Sequence, residues 1–105
     1  MPVTNIYQLY AKAITTGAAS VAAALPSIRS LAAFDTDGVI IPANQGYLNT
    51  AKTDYTDYLQ IKDQVINSID NSVAILQEYQ AQSVAYERDY AKLIAISKSF
   101  GAVPV

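Results

Sequence analysis

The sequence predicts an all-α protein, either an elongated helical hairpin or a three-helix bundle, with a long C-terminal helix and one short extended connector at residues 35–46. Three observations lead there. Apolar residues recur at threes and fours across residues 3–25. No Gly or Pro occurs between Leu48 and Lys98, and turn formers cluster in a single segment, FDTDGVIIPANQGY. At 105 residues, with 51% hydrophobic and 15% charged residues, the chain is sized and composed as one folded domain. It divides into an N-terminal Ala-rich helix (3–33), a connector (34–46), a long helical segment (47–98) and an extended tail (99–105).

In the first helix, Ile6, Leu9, Tyr10, Ala13, Ile14, Ala18, Val21, Ala22 and Leu25 form the apolar stripe, and Thr4 or Asn5 supplies the N-cap. Pro26 lacks the N–H that would continue the ladder, so the helix is expected to end or kink near Leu25, with a second piece at 27–33 capped by Ser27. Ala13 to Ile28 carries no charge. Its Ala, Ser, Thr and Gly content and its proline give too little insertion energy for a membrane span, and the basic start of a signal peptide is missing, so a buried helix is expected. The small residues Ala13, Gly17, Ala18 and Ala22 permit a close helix contact.

Asp35, Asp37 and Gly38 then read as a turn, Val39–Ile41 as a short extended run, and Pro42 with Gly46 as its exit. The segment does not fit a calcium loop. Counted from Asp35, the sixth position is Ile40 instead of glycine, and the twelfth is Gly46 instead of a bidentate Glu.

Unbroken, Leu48–Lys98 would make a helix of about 75 Å, more than twice the first helix at about 33 Å. A heptad with a at Tyr55, Lys62, Ile69, Leu76, Ser83, Tyr90 and Ser97 puts d at Tyr58, Val65, Ser72, Tyr79, Tyr86, Leu93 and Phe100. Ten of these fourteen sites are apolar or aromatic, so the stripe is real. Its polar sites and tyrosines, and its widening by Leu59, Ile66, Val73 and Ile94, suit a bundle better than a two-stranded zipper. Ser68–Ser72 is the weakest helical window, and a break there would give helices of 47–69 and 72–98. Gly101 stops the last helix, leaving an apolar tail with Val103 and Val105.

Histidine and cysteine are absent, which removes Ser/His/Asp and Cys/His catalysis, thiol chemistry and zinc sites built on them. Two acid and tyrosine clusters remain, Asp54 and Asp57 with Tyr55 and Tyr58, and Glu87 and Asp89 with Tyr86 and Tyr90. Helical rotation turns each acid away from its neighbouring rings. The glycines are isolated, so no phosphate loop is present. No catalytic residue, cofactor site or metal site is therefore expected, and the chain reads as a non-enzyme. Seven scattered bases against nine acids disfavour nucleic acid as the main ligand. Residues 1–33 hold two bases and no acid, and the rest holds five bases and nine acids, a polarity able to order copies head to tail. With no cysteine, the redox compartment leaves no mark.

The tyrosines carry most of the content. Eight of them against two phenylalanines suit surfaces that are wet before assembly and covered after it. The expected interaction residues are Tyr55, Tyr58, Tyr79, Tyr86 and Tyr90, with Val39, Ile40, Ile41, Val103 and Val105. In size and helical content the chain resembles the WxG secretion-substrate family, although it has no tryptophan and carries FDTDG at the turn. In composition and architecture it resembles small helical structural proteins of bacteriophage particles. The expected function is a structural protein packing as multiple copies with itself and larger structural proteins, most simply as a capsid accessory, neck or connector component of a phage virion. The alternative is a secreted or regulatory helical-hairpin module recognised by one partner.

Overall fold

The computed structural model describes residues 6–67 and 72–102. Four α-helices account for most of them: α1 (Ile6–Arg29), α2 (Pro42–Ile66), α3 (Ser72–Glu78) and α4 (Gln80–Ser99), with a 3₁₀ turn at Leu31–Ala33. The only pairing outside helices among the described residues is an isolated antiparallel bridge between Phe34 and Ile40. The fold is thus the all-α bundle expected from the periodicity.

Pro26 does not end α1, which continues through it to Arg29. The last turn is held from both sides. Ile28 is fully buried, and the Ser27 hydroxyl donates to the Asn44 side chain in the first turn of α2. Ser27 is therefore a tether to α2, and the capping role falls to Ser30, which accepts from Ala32 N at 3.2 Å at the start of the 3₁₀ turn. The expected caps Thr4 and Asn5 lie outside the described residues.

The connector is shorter than expected. Asp35 Oδ1 accepts from the backbone N–H groups of Asp37 and Val39, each at 2.9 Å, and Gly38 adopts φ +78°, a conformation that costs a residue with Cβ. Asp35 N donates to Val39 O at 2.8 Å and Ile41 N to Ala33 O at 2.9 Å, closing a tight loop. Helix α2 starts directly at Pro42, which takes the first helical position, where its missing N–H has no bond to lose. Gly46 lies inside this helix and does not mark its beginning.

A single helix over 47–98 does not form. α2 ends at Ile66 with Asn67 as its C-cap, and α4 returns alongside it, placing Glu87 beside Tyr58 and Lys62. The reversal lets the two halves of the long stripe and α1 cover one another. Residues 68–71, most of the window where the break was expected, lie outside the described residues. Tyr79 interrupts helical geometry between α3 and α4, but Ser83 N still donates to Tyr79 O at 2.8 Å, so the two run on from each other. At its C-terminus α4 closes with a Schellman cap. Gly101 (φ +78°) donates to Lys98 O and Ala102 N to Ser97 O, each at 2.9 Å.

The core follows alternating steps of four and three along α1, through Tyr10, Ile14, Gly17, Val21, Ala24 and Ile28. Ala18 and Ala22, assigned to the stripe from sequence, are exposed, and Gly17 and Ala24 take the inward positions. From the other helices come Leu48, Ala51, Tyr58 and Val65, then Ser83, Tyr86, Leu93 and Ser97. The polar heptad positions Ser83 and Ser97 are buried because each hydroxyl donates to a carbonyl of its own helix, Gln80 O and Leu93 O. α1 packs against both α2 and α4, while the backbones of α2 and α4 approach each other much less. The molecule measures 53 × 28 × 17 Å with a radius of gyration of 15.8 Å, against about 13 Å for a compact domain of this length.

Candidate interaction surface

Tyrosine rings fill the space between α2 and α4. Tyr55 stacks on Tyr90 with centroids 3.9 Å apart and planes 7° from parallel, and Tyr86 meets Tyr58 and Tyr55 edge-on at 4.8 and 5.4 Å. Tyr10 from α1 stacks on Tyr58 at 5.8 Å and meets Tyr79 edge-on at 6.0 Å. These rings act as spacers: large enough to bridge two backbones held apart, and flat enough to pack in layers.

The Tyr86 ring lies directly over Gly17 of α1, and a Cβ at that position would overlap its Oη and Cζ. Gly17 is thus the notch that lets α4 approach α1. The Tyr86 hydroxyl is buried without a hydrogen-bond partner. Burial, and then the nearby charge of Asp54, push its pKa well above the ordinary tyrosine range. The Tyr58 hydroxyl is raised further, by burial and by donation to Glu87 at 2.7 Å. The Tyr10 hydroxyl adds to that rise by proximity, although it forms no well-shaped hydrogen bond itself.

Glu87 joins the helices electrostatically. Its Oε2 accepts from Tyr58 and from Lys62 Nζ, both at 2.7 Å. Partial burial pushes its pKa up, but the Lys62 ammonium and the Tyr58 hydroxyl outweigh that and hold it below the usual value. Asp54 accepts from Ser20 of α1 and, with Asp57, Lys12 and Thr16, lines a small open pocket between α1 and α2. Among the described residues no three acidic, histidine or cysteine side chains converge as a metal site would require, and no helix is long and apolar enough to cross a membrane.

The residues expected to mediate contacts divide into three groups. Tyr58 and Tyr86 are fully buried within the chain, and Tyr55, Tyr79 and Tyr90 are half-buried against the same cluster. Ile40 turns inward against the core, whereas Val39 and Ile41, its neighbours in the extended run, are 58% and 36% exposed. Val103 and Val105 lie outside the described residues. The sequence reading missed Leu31, which at 87% is the most exposed large apolar side chain described. It lies in the 3₁₀ turn, outside any long periodic segment, so periodicity carries no signal for it. Phe100, half-exposed, packs on Phe34 at 4.9 Å and brings the end of α4 to the connector.

In comparison with known proteins, the chain matches no family model, no curated protein sequence and no solved structure.

Proposed function

We propose that this chain is a non-enzymatic structural protein that packs in several copies within a larger complex, and that a small bacteriophage virion component of the capsid accessory, neck or connector type is its context. The observation that carries the reading is the set of exposed apolar side chains where the 3₁₀ turn and the connector meet the C-terminus of α4: Leu31, Val39, Ile41 and Phe100. Exposed apolar side chains gathered in one place mark contact surfaces, and covering them recovers about 25 cal/mol per Å². The elongated outline also offers long flanks to neighbours. The test is mass: sedimentation of the purified chain from micromolar to millimolar concentration, with mass spectrometry of purified particles. Multi-copy species support the reading, and a monomer throughout counts against it.

A second reading, a helical hairpin recognised by a single partner, is favoured by the shallow groove between α1 and α2. Thr16, Ala19, Ala23, Ala43 and Gly46 form its small-residue wall, with Tyr47 also lining it. Small side chains there allow a partner helix to approach closely. That reading predicts a 1:1 complex and no self-assembly.

A further inference from the structure

Six of the eight tyrosines form one connected set of ring contacts. From the half-buried Tyr90 the set runs to Tyr55 at 3.9 Å and Tyr58 at 5.7 Å, with Tyr86 beside both, and on to Tyr10 at 5.8 Å and the half-buried Tyr79 at 6.0 Å. Rings this close exchange electrons readily, because tunnelling falls off steeply with the gap. The sequence holds no tryptophan or cysteine to compete as electron donor, so phenol is its most readily oxidised side chain. A phenol that has lost an electron is a far stronger acid than any carboxylic acid, and its oxidation is favourable where a base stands ready for the proton. The three fully buried rings differ in this respect. The hydroxyls of Tyr10 and Tyr86 have no hydrogen-bond partner among the described residues. The Tyr58 hydroxyl donates to Glu87 Oε2 at 2.7 Å. Burial pushes the pKa of that carboxyl up, but Lys62 and Tyr58 hold it below the usual range, so it is ionised at neutral pH.

We infer that the tyrosine cluster takes up one oxidising equivalent from a strong one-electron oxidant arriving at its half-buried edge and holds it at Tyr58, with Glu87 as the proton acceptor. The oxidant gains one electron, and the rings pass the vacancy inward. The Tyr58 O–H bond breaks as a new O–H bond forms on Glu87 Oε2. The products are a neutral phenoxyl radical and a neutral carboxylic acid; no atom leaves the site, and the Lys62 ammonium keeps its charge. Return of an electron from a reductant sends the proton back. Burial keeps the phenoxyl from meeting one on another chain, which blocks coupling to dityrosine. The inference is independent of the multi-copy reading, since it needs one chain only.

The test is flash photolysis of the full chain with tris(bipyridine)ruthenium as sensitiser and a cobalt(III) ammine as electron acceptor. Optical absorption follows the phenoxyl radical, freeze-quench electron paramagnetic resonance identifies it, and circular dichroism checks helix content. The native radical should outlive that of free tyrosine at the same concentration. Tyr58→Phe keeps the ring and should abolish the long-lived signal, whereas Tyr47→Phe, on an exposed ring, should leave it unchanged. Glu87→Gln should slow formation of the radical by at least about 100-fold, the loss of a positioned proton acceptor. A long-lived radical that survives Tyr58→Phe, or a native radical as short-lived as that of free tyrosine, overturns the inference. Should a variant lose helix content, the native chain still decides: transfer to Glu87 makes the formation rate independent of buffer concentration, and a rate that rises with buffer puts the proton in solvent and overturns the inference equally.

Discussion

Replacing Gly17 with alanine sets helix propensity against packing, with opposite signs. On propensity alone the change stabilises α1 by about 0.8–1.0 kcal/mol, since glycine loses more backbone freedom in a helix interior. On packing it destabilises, because the new Cβ overlaps the Tyr86 ring. That ring is 1% exposed and wedged edge-on against Tyr55 and Tyr58, so it has no free direction in which to swing. Overpacking of this kind costs about 1–3 kcal/mol, and an overlap with ring atoms instead of a flexible tip belongs at the upper end. The net expectation is a loss of about 2 kcal/mol, or a melting temperature lower by about 10 °C for a domain of this size. Thermal and urea denaturation followed by circular dichroism measure it. In a Tyr86→Ala background the notch is empty, and Gly17→Ala should there become stabilising, a coupling of about 2–3 kcal/mol. A melting temperature raised by Gly17→Ala in the native background, or effects that simply add, would refute the seating of Tyr86 on Gly17.

The two best-buried phenols of the α2–α4 interface are predicted to make the protein sensitive to alkali. Tyr58 and Tyr86 have folded pKa values above the ordinary 10, so their neutral forms contribute full stability below about pH 10 and that stability is lost as the pH rises beyond it. Two such groups remove about 2.7 kcal/mol per pH unit, so cooperative unfolding should accompany phenolate absorbance at 295 nm. Ionisation of all eight tyrosines near pH 10 with helicity intact would contradict this. A paired comparison separates the two hydroxyls. Tyr86→Phe deletes an unpartnered buried group and should be neutral or stabilising, whereas Tyr58→Phe takes a donor from Glu87 and should cost about 1 kcal/mol in denaturant unfolding. Equal effects would show that the hydroxyl environments have been misread.

Periodicity made the helices legible because burial repeats every three or four residues, and the heptad through Tyr58, Val65, Tyr86 and Leu93 is the stripe that folds inward. Alanine was less readable. Ala18 and Ala24 have the same side chain, and only the packing of α1 against the other helices decides which faces in. Local chemistry makes Pro26 a place for the helix to end or kink, and the buried Ile28 and the Ser27–Asn44 bond, both tertiary, carry α1 past it to Arg29. Pro42 was read as the exit of an extended connector when its fixed φ equally suits a helix start. Within the candidate surface, Val39 and Ile41 were named from their β-branched run, whereas Leu31 sits in a turn with no pattern to expose it. The Lys62–Glu87 link joins residues 25 positions apart and exists only because the chain doubles back.

That α1 touches both other long helices while α2 and α4 meet chiefly through rings bears on how the chain assembles as it is made. By the time Ile66 has left the ribosome, α1 and α2 are both complete, and their contact closes only a short loop, which is entropically cheap. α4 has no such neighbour in sequence. Its docking waits until Gln80–Ser99 has been made and joins residues as distant as Gly17 and Tyr86. Until then the α1–α2 pair exposes Tyr10, Tyr58 and the Gly17 notch together, a sticky intermediate whose lifetime is set by translation of the segment from Asn67 through α4. A stalled or truncated product ending before α4 would therefore be the aggregation-prone form of this protein.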